Sequence, residues 1–275
     1  MPPRFVANGL SKAFNSPTIV ENKVGASGII GTEYVVRSPA DGHTILLTFS
    51  SHYINQWAMK PPFDAVKDFE PLAQLSLTPM VLTTSTNSPY KTLADVLNTA
   101  KRSPGKVMYA ATAGVSQMAG AYMASMAGVD MTHVLYKDAT RVLVDVASGI
   151  AELGFGSITT ALPFVESGRL QVLAVGTKSR MGRFPAIPTM AEAGVPGYEL
   201  SSRIMMLAPK GTPAPVIEKL SRAIVELGRS DGFKQLCHVQ VCEVEVADAG
   251  ALRASAPSDL EKWGKLVGLT NLNAN

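Results

Sequence analysis

Serine, threonine and glycine gather where the sequence predicts the carboxyl ends of strands. Ser50 and Ser51 follow a strand at 44–49, Thr112, Ala113, Gly114 and Ser116 follow one at 107–110, and Ser157 with Thr159 and Thr160 follows one at 153–155. Short side chains leave backbone N–H groups open to an approaching ligand. At a helix start those groups and the helix dipole favour negative charge. The same residue types also cap helices and make turns. Three such loops at strand ends nonetheless point to capture of an anion rather than to covalent chemistry. A further glycine stretch, GASGIIG at 25–31, suggests a phosphate cradle, but its glycines do not follow G-x-G-x-x-G. The nearest acidic partner, Asp41, lies in the turn before the next strand, the wrong end for a ribose contact.

Other chemistries find little support. His43, His52, His133 and His238 are scattered, without metal-ligand spacing, so no metal and no cofactor is expected. Lys137, Asp138, His52 and His133 are the candidates for proton transfer, yet no nucleophile–base pair or carboxylate dyad accompanies them. Cys237 and Cys242 stand five apart in an apolar stretch. A disulfide is possible between them, but on one strand an odd offset places two residues on opposite faces, so buried thiols are the expectation. A net charge of +3 and the lack of a basic run give no reason to expect a nucleic-acid partner.

These residues need elements to hold them. With 275 residues, 46% hydrophobic and 17% charged, the chain can bury a large core in one or two domains. Helices are predicted at 5–14, from the glycine turn through 37, and at 93–102, 117–126, 141–147, 214–228 and 258–267. Strands are predicted at 18–21, 44–49, 72–77, 80–84, 107–110, 132–136, 153–155, 170–176 and 239–246. The alternation predicts α/β architecture with parallel sheets. Breakers at Pro104-Gly105 and Pro209 divide it into two lobes, 1–104 with 210–275 and 105–209, flanking a ligand cleft. No apolar run is long enough to cross a membrane.

The motifs, taken in order, resemble those of the substrate-binding receptors of tripartite tricarboxylate transporters, the TctC-like or Bug family. Val20-Glu21-Asn22-Lys23 with GASGIIG resembles V-E-N-R-x-G-A-G-G-x-x-G, and Ala40-Asp41-Gly42-His43-Thr44 resembles P-D-G-Y-T. His52-x-x-Asn55, Phe63-Asp64-x-Val66-Lys67-Asp68-Phe69 and His133-Val134-Leu135-Tyr136-Lys137 resemble H-x-x-N, Y-D-P-V-K-D-F and H-V-P-Y-K-G. Ala161-Leu162-Pro163, Ser167-Gly168-Arg169-Leu170 and Pro188-Thr189-x-Ala191-Glu192-Ala193-Gly194 complete the series. The resemblance implies a two-lobed α/β fold of the type II periplasmic-binding-protein kind. It implies a small organic acid in the cleft, membrane transporter subunits as partners, and a periplasmic location. In such a protein the glycine turn starts a helix packed closely on the sheet of the first lobe.

The chain also departs from the pattern. Gln117 stands near a family His, Asp138 replaces a Gly, and Gly156 and Ser157 follow Phe155 where an Asp is usual. The family's first strand and its glycine-rich loop have no counterpart, and Met1–Leu10 lacks the apolar core of a signal peptide. If that start is genuine the location is cytoplasmic, and the sheet of the first lobe lacks a central strand between 18–21 and 44–49. Self-association could fill such a gap. The leading expectation is a carboxylate receptor whose ligand contacts come from Ser50, Ser51, Thr112, Ala113, Gly114, Ser116, Gln117, Asp138, Ser157 and Thr159. The rival is an isomerase or lyase acting on an organic acid in the same cleft.

Overall fold

A computed structural model describes residues 2–270. In chain order its elements are α1 (Pro2–Phe14), a short 3-10 turn (Ala26–Gly28), α2 (Ile29–Val36), β1 (Leu46–Phe49), α3 (Ser51–Ala58) and β2 (Phe69–Ser85). Then follow α4 (Leu93–Arg102), β3 (Met108–Thr112), α5 (Val115–Ala127), β4 (Thr132–Tyr136), α6 (Ala139–Ala147), β5 (Leu153–Ser157), α7 (Ile158–Glu166) and β6 (Leu170–Val175). The chain closes with β7 (Ser201–Pro209), α8 (Ala214–Arg229), α9 (Asp231–Gln240), β8 (Glu243–Asp248) and α10 (Ala249–Gly268).

Two compact units result: Met1–Leu77 with Arg203–Lys265, and Thr78–Ser202 with Leu266–Asn275. The breakers at Pro104 and Pro209 had placed the divisions elsewhere. Pro104-Gly105 only turns the chain between α4 and β3. The divisions between the units fall inside β2, β7 and α10. β2 also joins the strands expected at 72–77 and 80–84, despite Pro79. Its ladder with β8 ends at Leu77↔Glu243 and its ladder with β5 begins at Met80↔Ser157. Pro79 falls between those two ladders, where neither requires an N–H donor.

In the first unit β1 runs antiparallel to β7, and β7 and β8 both pair with β2. These pairings correct the expectation of parallel sheets: successive strands here are not joined by simple crossovers. Leu72, Leu75, Met206 and Ala208 meet Val6 and Leu10 of α1, Ile217, Leu220 and Ile224 of α8, and Phe233 of α9 in one buried cluster. Helix α8, predicted at 214–228, packs its apolar face into this cluster. Residues 18–21 form no strand, and Ile19 and Val24 are 85% and 84% exposed. Apolar alternation alone does not make a strand without a partner ladder, and none pairs with this segment among the described residues.

The glycine turn leads directly into α2, whose N-cap is Gly28. Gly25, Ala26, Ser27 and Gly28 all take positive φ, and the Nδ2 of buried Asn55 donates to the Ser27 carbonyl at 3.1 Å. A Cβ on Gly31 would stand 3.1 Å from the Lys23 carbonyl oxygen. The small residue thus lets the extended segment before the turn approach α2.

In the second unit the sheet follows the expected rule. β3 lies between β4 and β5, parallel to both, with α5 and α6 as the crossovers. β2 then pairs antiparallel with β5 and with β6. The two helices cover opposite faces of this sheet. Tyr109 and Phe155 face α5, whereas Gly154, the adjacent residue of β5, packs against Val142 and Val146 of α6.

The strand expected at 239–246 is instead the end of α9, a turn and β8, and this changes the chemistry of its cysteines. Cys237 and Cys242 form a disulfide, which corrects the expectation of free thiols. The strand-face argument does not apply because Cys237 lies in the last turn of a helix. The Cys242 N–H donates to the Cys237 carbonyl at 3.0 Å across Val241, which is left-handed at φ 55°. That is a helix-ending turn whose usual apolar contact is replaced by a covalent bond. A β-branched residue is disfavoured in this conformation. Reducing the disulfide is expected to lower stability by about 2 kcal/mol, the entropy of so short a closed loop. Val241→Gly should recover about 1 kcal/mol in the reduced protein. Denaturant unfolding of both proteins with and without reductant checks this, and an equal loss in the two would show that Val241 is not held by the bond.

Candidate functional site

The parallel trio β4-β3-β5 brings two of the sequence-predicted loops side by side. The register pairs Tyr109 with Leu153 and Ala110 with Gly154. β3 ends at Thr112 and β5 at Ser157, so the loops after them leave from neighbouring strands. From β3 the chain turns through Ala113 and Gly114 into α5, and from β5 it enters α7 directly. The connection out of β3 leads to β4 on one side, while β5 lies on the other. Ligands of open α/β sheets bind at such a switch point, beyond the carboxyl ends of the strands.

The two helix starts differ chemically. Helix α7 is capped by its own residues: Ser157 Oγ accepts the Thr160 N–H at 3.3 Å and lies 2.9 Å from Thr160 Oγ1. Helix α5 begins at Gly114, with φ 90° and ψ −137° and no side-chain cap. Its first intrahelical bond among these residues runs from the Met118 N–H to the Gly114 carbonyl at 3.0 Å. The amides of Val115, Ser116 and Gln117 thus lie in the first turn of a thirteen-residue helix, where no carbonyl of the helix can accept from them. Thr112 and Ser116 are half-buried beside that turn, Ala113 is exposed, and Gln117 is buried. Thr159 is exposed.

The other predicted contacts, Ser50, Ser51 and Asp138, lie at the starts of α3 and α6. Ser50 is buried in the first unit, where its hydroxyl accepts the Arg203 N–H at 2.9 Å. Ser51 opens α3 in the same unit. Asp138, exposed, caps α6 by accepting the Arg141 N–H at 2.9 Å.

The proton-transfer candidates do not assemble. His52 is buried in the first unit among Tyr53, Phe63 and Phe69, with Nε2 donating to the Ala65 carbonyl at 2.8 Å. Burial pushes it down to about 4, only partly opposed by that hydrogen bond. His133 is in the second unit, with Nε2 3.2 Å from the Ala111 carbonyl oxygen. Burial lowers its pKa too. Lys137 is exposed. Sequence reasoning passed over Tyr109, Tyr198 and Gly120, which hold α5 in place. Their pairing is set by the fold and leaves no local motif.

A mixed α/β sheet with crossovers of this kind is the fold class of the two-lobed periplasmic solute-binding proteins. The chain belongs to the tripartite tricarboxylate transporter family receptors, whose family model matches residues 3–272. It is 30% identical, over 99% of its own length and 82% of the relative's, to the UPF0065 protein in the tcbD-tcbE intergenic region of Pseudomonas sp. strain P51. Protein BugT of Bordetella pertussis is 29% identical over 96% of this chain and 82% of its own. Among solved structures, R. palustris Rpa4515 with adipate superposes with a TM-score of 0.82 at 26% identity, covering 97% of this chain and 91% of that one. The periplasmic binding protein BugD gives 0.77 at 27%, covering 97% and 91%. The chain is therefore a solute-binding receptor by family.

His52 gives a pH dependence with a definite sign. Its folded pKa of about 4 lies below the ordinary 6.5, so the folded state prefers the neutral ring. The stability this represents is fully present above pH 6.5 and is lost as pH falls through 6.5 towards 4. The difference of about 2.5 units corresponds to about 3 kcal/mol. Unfolding free energies between pH 4 and 7 should therefore slope more steeply in the wild type than in His52→Gln, by up to one proton. Equal slopes would show that the ring does not titrate on unfolding.

Proposed function

We propose that the receptor captures a small organic carboxylate, with adipate-like dicarboxylates as the first class to test. The observation that carries this reading is the uncapped first turn of α5 at the carboxyl end of β3. Three orphan amides and the dipole of a long helix supply what a carboxylate needs, and charge-assisted hydrogen bonds are about twice as strong as neutral ones. Thr112 and Ser116 add hydroxyls, and the capped end of β5 provides the adjoining wall with Ser157 and Thr159. Adipate in the Rpa4515 structure supports the ligand class. The membrane subunits of a tripartite transporter are the partners in this reading. A periplasmic location agrees with the family and with the Cys237–Cys242 disulfide, a bond favoured by oxidising compartments.

Thermal melting against a panel of mono- and dicarboxylates tests the reading. An acid present at one hundred times its Kd should add about 2.7 kcal/mol to the unfolding free energy. For the best acid, Thr112→Val and Ser116→Ala should each weaken binding by about 1–3 kcal/mol in calorimetry. Gly114→Val should cost more, because φ 90° strains any side chain there. Unchanged affinity in all three variants would remove this loop from the site. NMR of the acid after long incubation should show it intact, whereas new product signals would favour the enzyme.

A further inference from the structure

The first turn of α5 is only as well placed as the helix behind it, and two residues fix that helix against the sheet. Tyr109 is buried near the start of β3, its ring 5.1 Å from His133 of β4 and 5.6 Å from Phe155 of β5. A Cβ on Gly120 would stand 2.2, 2.5 and 2.7 Å from Cε2, Cζ and Cδ2 of Tyr109. The ring therefore lies directly against the backbone of α5, where any residue but glycine collides with a rigid aromatic held between two others. The same phenol donates to the carbonyl of Gln117 at 3.3 Å, within the first turn itself. Two residues on, the buried Tyr198 phenol donates to the Ala119 carbonyl at 3.0 Å. Burial raises the pKa of both phenols, Tyr109 to about 12, so both remain donors at neutral pH.

We propose that Tyr109 and Gly120 act as a pair of positioning residues for the ligand, setting how far the first turn of α5 stands from the end of β3. The missing side chain at Gly120 sets the distance, and the phenol hydrogen bond sets the height of the turn along the helix axis. Both quantities decide whether the amides of Val115, Ser116 and Gln117 reach a carboxylate together. Hydrogen bonds weaken steeply with misalignment, so a shift of about half an ångström at the helix is felt at the ligand. Neither side chain needs to touch the ligand. The inference rests on the receptor reading above, because it assigns these amides to a carboxylate.

Three variants test it: Tyr109→Phe, Gly120→Ala, and Gly120→Ala combined with Tyr109→Val. Calorimetry with the tightest-binding acid of the panel, adipate included, is run alongside amide hydrogen exchange of the unliganded proteins. Tyr109→Phe should fold normally and lose about threefold in affinity, the effect of one weak hydrogen bond. Gly120→Ala should lose tenfold or more, and its amides at 118–121 should exchange faster than those later in α5. The double variant, with the ring removed, should regain most of both losses, which a merely destabilised helix would not. Wild-type affinity and exchange in Gly120→Ala would overturn the proposal, as would a loss that Tyr109→Val fails to relieve. Should no acid of the panel bind the wild type, the receptor reading fails on its own. The exchange data alone then decide whether the pair positions the helix: loss of protection confined to 118–121 and relieved in the double variant supports it, and unchanged protection overturns it.

Discussion

A parallel ladder can be closed only by a crossover, and the candidate site depends on that constraint. Because β3 is paired on both sides by parallel strands, the chain must leave it, cross one face to β4, and return over the other face to β5. The carboxyl ends of two adjacent strands are then left with helices departing from them. Backbone donors converge there without any side chain being chosen to create them. The first unit is built differently: its sheet is antiparallel in the registers of β1 with β7 and β2 with β8. Its helices α1, α8 and α9 share one buried cluster with β2 and β7.

The electrostatics follow from which helix starts are already satisfied. Ser157 and Asp138 spend their oxygens on α7 and α6, and Thr92 accepts the Asp95 N–H in the capping box of α4. A capped start has less to offer an anion, since its donors have an acceptor already. Helix α5 lacks such a cap, and Gly114, at positive φ, places no side chain over the turn. The ion pairs among the described residues of this unit join Arg141 to Asp145, Arg180 to Glu192 and Arg183 to Glu166. In the proposed reading an anion at α5 is met by backbone dipoles in fixed positions. Recognition of that kind depends on the backbone being held still, which is why the groups beneath the helix matter as much as those facing the ligand.

Much of this could be read from the sequence, and the misses have physical causes. The face of α8, with Val216, Leu220, Ile224 and Leu227, was legible because a helix shows its burial at a regular spacing within one segment. The loop at 112–116 could be proposed from the sequence because small residues follow an apolar run there, although the same residue types also cap helices and make turns. Residues 18–21 misled because strand patterning reports a side chain's preference for burial, whereas the strand itself needs a neighbour the sequence does not name. Residues 239–246 misled because β-branched residues at the end of a helix look like a strand until the left-handed turn at Val241 is known. Asp138 stood out as a departure from the family Gly, and in the structure its carboxylate accepts the Arg141 N–H at the start of α6. Tyr109 and Gly120 were beyond reach, since one lies on a strand, the other on the helix after it, and only the crossover brings them together.

The buried titratable groups show the same division of labour from another side. His52 is kept neutral in an aromatic box, and Tyr109 and Tyr198 are kept protonated beneath α5. Each has its donor directed at a backbone carbonyl: Ala65, Gln117 and Ala119 respectively. A group held in one protonation state by burial is poorly suited to moving a proton at neutral pH, but it is well suited to holding a backbone in place, because its hydrogen bond does not compete with water. General acid–base chemistry on an organic acid works best with a group tuned near neutrality and open to the ligand. A receptor needs the reverse, rigid and uncharged supports behind a surface of backbone donors, and these buried residues have that character.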